Sequence, residues 1–302
     1  MAGEDGRDVL RGGEGSDWGS GGPGTDRLDG GPGDDWALSG GGGDDFVAGG
    51  DGEDHLYADD GGYPGDDAVG SDVLDGGAGS DWYNAPRGGA FPAAPGVTVD
   101  IAAGTATGAS VGTDALYAIE NASGTDAEDV LLGDRSSNHF IGYSANDRID
   151  GRAGDDVLEG WSGIDDAIGG LGDDTFFIGG LDPHDEVDGG DGNDTLNVHT
   201  FTSHLPHHAP CYPGEPGWTI DLAVGLARST SPARDAAASF SDIENAIGSR
   251  ADDVISGDDG VNVLHGECGN DTLDGRQGVD HLAGGKDTDV CANGETVEGC
   301  EP

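Results

Sequence analysis

A nine-residue phrase, Gly-Gly-x-Gly-x-Asp-x-U-x with U apolar, recurs along most of this chain and restricts the folds open to it. Gly21-Gly22-Pro23-Gly24-Thr25-Asp26-Arg27-Leu28-Asp29 is a clean copy, and Gly49-Gly50-Asp51-Gly52-Glu53-Asp54-His55-Leu56-Tyr57 and Gly189-Gly190-Asp191-Gly192-Asn193-Asp194-Thr195-Leu196-Asn197 are others. Units begin at 3, 12, 21 and 30, resume at 40 and 49 after a one-residue insertion near Ser39, and return at 67 and 76. A second array begins at 124, 133, 142, 151, 160 and 169 and continues, after two inserted residues, at 180 and 189. A third begins at 248, 257, 266, 275 and 284. A fixed short period of this kind is the signature of a solenoid, in which each unit buries its apolar face only by stacking on its neighbours.

Composition alone would argue for disorder. The 302 residues carry a net charge of −49, with 61 Asp and Glu against 12 Lys and Arg, and only 34% are hydrophobic. So little apolar surface does not offset ordering entropy. The period overrides that reading and turns the charge into a clue: the chain needs divalent cations to neutralise it before it folds. The same charge speaks against a nucleic-acid partner. No apolar run approaches the roughly 20 residues that span a bilayer. The start, Met1-Ala2-Gly3-Glu4-Asp5, lacks the basic and apolar regions of a signal peptide, so either export uses another route or the sequence is part of a longer protein.

Each unit pairs a loop with a strip of core. Glycine at the first, second and fourth positions admits restricted backbone conformations, so carbonyl oxygens can converge. The sixth-position Asp adds a charged, hard oxygen. Calcium takes 6–8 such oxygens in flexible geometry, whereas magnesium demands a tighter octahedron and keeps its water. The candidate metal-binding carboxylates are Asp8, Asp17, Asp26, Asp35, Asp45, Asp54, Asp72, Asp81, Asp156, Asp165, Asp174, Asp185, Asp194, Asp271, Asp280 and Asp289. The candidate loop glycines are Gly12, Gly15, Gly21, Gly24, Gly30, Gly33, Gly40, Gly43, Gly49, Gly52, Gly151, Gly154, Gly169, Gly172, Gly189, Gly192, Gly266 and Gly269. In a short strand the eighth side chain faces in while the seventh and ninth face out. Leu10, Leu28, Val47, Leu56, Leu74, Leu131, Phe140, Ile149, Leu158, Phe176, Val187, Leu196, Ile255, Leu264, Leu273 and Leu282 fall there.

The pattern resembles the RTX, or hemolysin-type calcium-binding, repeat family. The resemblance implies an all-β parallel β-roll in which two units make one coil and calcium sits between successive loops on the same edge. On that scheme Asp8 and Asp26 line one edge and Asp17 and Asp35 the other. Roughly a dozen Ca²⁺ would be bound and would cancel about half the net charge. Units at 133 and 257 carry Asn138 and Asn262 in place of Asp, and the unit at 142 has Tyr143 and Ala145 in place of glycine, so sites there are in doubt.

The arrays define expected segments: 1–84, a strand-rich spacer 85–123, 124–197, a His/Pro-rich spacer 198–247, and 248–302 with a C-terminal cap. The spacers are related, since Thr98-Val99-Asp100-Ile101-Ala102 matches Thr219-Ile220-Asp221-Leu222-Ala223 and Ile119-Glu120-Asn121-Ala122 matches Ile243-Glu244-Asn245-Ala246. They read as coils with enlarged loops. Cys291 sits at an eighth position and Cys300 nine residues on, which suggests a disulfide closing the last coil across the roll. A Cys211–Cys268 pair stays open, without geometric support in the spacing. Disulfides imply an oxidising compartment, and the expected location is extracellular.

His199, His204, His207 and His208 beside Cys211 suggest zinc, but the neighbouring prolines and nonstandard spacing favour a plain loop. Trp18, Trp36 and His55 share the seventh position in alternate units and form an outer stripe. An extracellular polysaccharide or cell-surface partner is the sharper reading of it; strand-favouring aromatics on a solvated sheet are the plainer and preferred one. No His-Glu-x-x-His or Gly-x-Ser-x-Gly is present, and the spacers are short for an independent catalytic fold. The expectation is a non-enzymatic structural or interaction module that folds on binding calcium. The alternative is the C-terminal part of a larger secreted enzyme, toxin or adhesin.

Overall fold

The computed structural model describes residues 1–58, 69–87, 96–178, 184–198, 216–230 and 237–301. Every regular element among these residues is a β-strand, and no helix long and apolar enough to cross a membrane occurs among them. The chain forms two compact units, residues 1–152 and 153–302.

In the first unit successive strands alternate between two parallel sheets, one strand per nonapeptide. One sheet stacks Val9–Arg11, Arg27–Pro32, Phe46–Asp51 and Val73–Ala78, with Leu10, Leu28, Val47 and Leu74 in register. The other stacks Trp18–Pro23, Ala37–Gly42, His55–Tyr57 and Trp82–Asn84, aligning Gly19, Leu38, Leu56 and Tyr83. Eighth-position side chains therefore form two facing apolar columns. Leu28, Val47, Leu56, Leu74 and Tyr83 are fully buried, whereas Leu10, in the first coil, is half-buried. Burying one such side chain contributes about 1.5–3 kcal/mol, and a coil has only two of them.

Register corrects one expectation. Trp18 pairs with Ala37, and Leu38 pairs with Leu56, so the inserted residue is Trp36 and not one near Ser39. The shift puts Leu38, a larger side chain than Ala37, into the column. Trp36 is left exposed, stacked on His55 at 5.1 Å between ring centroids. His55 stacks in turn on Trp82 at 5.6 Å, and Trp82 meets His139 edge-on.

The first spacer enters the same sheets. Gly112–Tyr117 runs parallel to Val73–Ala78, Thr105–Gly108 is antiparallel to it, and Val97–Asp100 is antiparallel to Thr105–Gly108. Val97–Asp100 then pairs in parallel with Val130–Leu132. In the opposite sheet Asn121–Ser123 lies directly between Trp82–Asn84 and His139–Ser144. One sheet thus gains two strands that the other lacks. The fold accommodates antiparallel strands here because Gly104 and Gly112 turn the chain back with positive φ.

The second unit repeats the arrangement. Asp166–Leu171 and Asp185–Asp191 lead into Ala237–Ser241, then Leu226–Ser229 and Trp218–Asp221 run antiparallel, and Val254–Ser256, Thr272–Asp274 and Val290–Ala292 follow in parallel. The opposite column runs Leu158, Phe176, Leu196, Ala246, Leu264, Leu282 and Val297. The duplicated spacer sequences therefore fold alike.

The disulfide between Cys291 and Cys300 is present, with Cα atoms 5.8 Å apart. Its expected position is corrected. Val297, not Cys300, takes the inward place opposite Leu282, because the last coil is short, and Glu301 bridges back to Val290. The bond lies along one sheet and not across the roll. Cys211, and the cluster from His199 to His208, lie outside the described residues.

Candidate metal centre

The loops are built around a close approach that only glycine allows. A Cβ on first-position Gly21 would stand 2.6 Å from the Asp26 carboxylate and closer still to the Gly40 carbonyl of the next coil. A Cβ on Gly40 would meet Asp45 at 2.7 Å and the Ala58 carbonyl at 2.8 Å. Gly12, Gly30, Gly49, Gly169, Gly189 and Gly266 are crowded by their own unit's Asp in the same way. At the fourth position Gly15, Gly24, Gly33, Gly43, Gly52, Gly154, Gly172 and Gly269 have positive φ. A side chain on Gly33 would strike the Gly15 carbonyl, one coil back, at 2.5 Å, and Gly192 is pressed likewise against Gly172. Gly151 is buried at the first position of its unit. Each edge of the roll is therefore lined by carbonyl oxygens and one carboxylate per coil.

The sixth-position carboxylates form ladders. On one edge of the first unit the backbone N–H of Asp8 donates to Asp26 Oδ1, Asp26 to Asp45, Asp45 to Asp72, and Asp72 to Asp114, at 2.7–3.0 Å. On the other, Asp17 donates to Asp35, Asp35 to Asp54, Asp54 to Asp81, and Asp81 to Glu120, at 2.7–2.9 Å. In the second unit Asp156 donates to Asp174, Asp174 to Asp194, and Asp194 to Glu244. Asp165 donates to Asp185, Asp253 to Asp271, Asp271 to Asp289, Asn262 to Asp280, and Asp280 to Glu295. One oxygen of each carboxylate is thereby fixed. The other, Oδ2, is buried with no hydrogen-bond partner in Asp26, Asp35, Asp54, Asp81, Asp174, Asp194, Asp271, Asp280 and Asp289.

An unpaired buried polar group costs about 1–3 kcal/mol, and more when charged. The titration behaviour reflects this. Burial pushes the Asp54 and Asp194 carboxyls up to about 6 and those of Asp81, Asp174 and Asp271 up to about 7, and neighbouring carboxylates push further while the backbone N–H opposes. Burial also raises Asp26 and Asp35. A cation beside these oxygens would offset that cost. Among the described residues no group of three or more His, Cys, Asp or Glu side chains could hold a metal, so one bound here would take one carboxylate per loop with backbone carbonyls for the rest. That donor set suits Ca²⁺.

Not every loop is open in this way. Asp8, expected as a ligand, has its Oδ2 taken by the Glu4 N–H at 3.0 Å. Asp129 accepts the Thr125 N–H at 2.6 Å and the Thr125 hydroxyl, and Asp253 accepts the Ser249 N–H at 2.5 Å and its hydroxyl. Asn138 and Asn262 accept the N–H of Asp134 and Asp258 through Oδ1. In all five loops the second residue lacks positive φ, so its N–H reaches the sixth side chain. In the loops with unpaired Oδ2 the second residue has positive φ throughout, from Gly22 and Gly31 to Glu267, Arg276 and Gly285. Second-position backbone conformation separates open from closed loops.

Several ladder residues escaped the sequence reading. Asp147 accepts the Asp129 N–H at 2.8 Å, although its loop has Tyr143 and Ala145 where glycine is usual; both adopt positive φ nonetheless. Asp114 comes from the spacer strand, is pushed up to about 7 by burial, and also accepts the hydroxyl of buried Tyr83. Glu120 and Glu244 fill the Asp place with one more methylene. Their duplication was the available signal.

The family model of the RTX calcium-binding nonapeptide repeat matches residues 2–37, 37–63, 68–85, 123–158, 141–176, 184–198, 240–267 and 256–291. No curated protein matches the chain. With the family's repeat covering more than half of the 302 residues, and with the loops and ladders it predicts in place, the chain belongs to the RTX calcium-binding nonapeptide repeat family.

Proposed function

We propose that this protein is a secreted calcium-binding module with a structural or interaction role, whose arrays fold when Ca²⁺ enters the open loops. The columns of buried, unpartnered aspartate oxygens carry this reading. The chain invests one inward side chain per nine residues, too little to bring these carboxylates together without a counter-ion. Ca²⁺ would be held by the open Asp oxygens and by loop carbonyls, and it supplies the positive charge that lets neighbouring coils stack. An extracellular setting provides calcium at the concentrations that loops of this kind require. The Cys291–Cys300 bond agrees with an oxidising compartment. The sixth-position carboxylates of the arrays are held in ladders and loops, which supports a binding role.

The stacked rings Trp36, His55 and Trp82 turn their faces to one another, which favours a self-packed outer ladder over a sugar platform. The test is a Ca²⁺ titration followed by far-ultraviolet circular dichroism. The expected result is a cooperative gain of β signal with half-saturation around 10⁻⁴–10⁻³ M. Equal β content in excess chelator would refute the reading.

A further inference from the structure

Four of the five closed loops, those of Asp129, Asn138, Asp253 and Asn262, are not scattered. Units 124 and 133 make one whole coil, and so do units 248 and 257, each directly after a spacer hairpin. In both coils each edge is satisfied by protein groups alone. On one edge Asp129 receives Thr125 and the Val97 N–H, and Asp253 receives Ser249 and the Trp218 N–H, with the Val97 and Trp218 bonds each at 2.6 Å. On the other edge the Asn138 and Asn262 amides donate to the carbonyls of Glu120 and Glu244, at 2.7 and 2.8 Å. An amide NH₂ thus takes a carbonyl of the coil below.

The next loop on that edge carries an arginine where the repeat has its second glycine. Arg152 and Arg276 keep the left-handed backbone, with φ of 69° and 64°. The Arg152 guanidinium donates to the first-position carbonyl of Gly133 at 2.6 Å and to both carboxylate oxygens of Asp100 at 2.9 and 3.1 Å. Arg276 donates to Asp221 at 2.7 Å. Asp100 and Asp221 end the spacer strands Val97–Asp100 and Trp218–Asp221. The pairs are about two-thirds shielded from solvent, where a guanidinium–carboxylate pair outweighs an exposed one.

We infer that each duplicated cassette contains one coil built to hold without metal, in which an arginine guanidinium supplies the positive charge that calcium supplies in the other coils. The two coils and their hairpins are then folded islands in the calcium-free chain, and they set the register on which the calcium-dependent arrays stack. This rests on the calcium-dependent reading of the open loops.

Hydrogen exchange of the full chain, with mass spectrometric readout in excess chelator and in Ca²⁺, tests it. In chelator, amides of the strands from Val97 to Leu132 and from Trp218 to Ser256 should exchange at least about tenfold more slowly than those of strands Arg27–Pro32 and Thr175–Phe177. Arg152→Gln should remove that protection from the first cassette only, the second serving as internal control. A second variant, Asp134→Gly and Asn138→Asp with Arg152→Gly, restores the open-loop pattern and should bind one more Ca²⁺ than the parent by calorimetry. If Ca²⁺ protects the arrays but both islands exchange as fast as the rest in chelator, or the triple variant gains no ion, this inference fails alone. If Ca²⁺ protects nothing, the calcium reading fails and takes it along.

Discussion

At the scale of the residue, a single backbone angle decides what a loop can do. Where the second residue takes positive φ, its N–H turns away and the Asp Oδ2 stays open; where it does not, the N–H closes on the carboxylate. Asp194→Asn tests the open state. The amide keeps Oδ1 as acceptor for the Asp174 N–H but replaces the open oxygen with a donor. The variant should fold in Ca²⁺ and bind one or two fewer ions by calorimetry. Glu267 tests the backbone: it holds φ of 74° at a position glycine usually fills. Glu267→Gly should raise stability in Ca²⁺ by about 0.5–1 kcal/mol, read from the thermal midpoint, since relief of left-handed strain exceeds glycine's entropy cost. Asp26, Asp35 and Asp54 were legible as loop carboxylates because residue type and spacing coincide. The closure of Asp8 by Glu4 was not, because the repeat motif records side chains and not the φ that directs the N–H.

At the scale of the element, the inward column fixes register. Leu196 is fully buried between Phe176 and Ala246 on the neighbouring strands. Leu196→Asp puts a charge there and should destabilise the second unit by several kcal/mol, seen as loss of its Ca²⁺-induced β signal. Parallel strands at 28, 47, 56, 149, 158 and 264 could be read from alternation and period. The antiparallel strands Thr105–Gly108 and Leu226–Ser229 could not, since their direction depends on turns at Gly104 and Gly225 and on pairing with distant partners. The insertion at Trp36 was misplaced for a related reason: two adjacent apolar residues, Ala37 and Leu38, competed for the inward place, and volume decided. At the C-terminus the nine-residue count pointed to Cys300, but the short last coil gave the place to Val297.

At the scale of the whole molecule, −49 net charge and two columns of core per unit define the balance that cations must tip. Protons compete for the same oxygens. The folded-state carboxyls of Asp54, Asp81, Asp174, Asp194 and Asp271 lie at about 6 to 7, above their unfolded value of about 3.9. A group raised on folding stabilises fully below its unfolded pKa, and that contribution is lost as pH rises through the folded pKa. The calcium-free protein should therefore gain β structure and thermal stability on acidification from pH 7.5 to pH 5, and its apparent Ca²⁺ affinity should fall over the same range. Circular dichroism and calorimetry at the two pH values check both. The decisive measurement is a crystal structure grown in Ca²⁺ with anomalous scattering used to locate the ions. Peaks should lie beside the open oxygens of Asp26, Asp35, Asp54, Asp174, Asp194 and Asp271, bridging to loop carbonyls, and be missing beside Asn138 and Asn262. Absence of density at those aspartates, with their carboxylates turned out to solvent, would contradict the account.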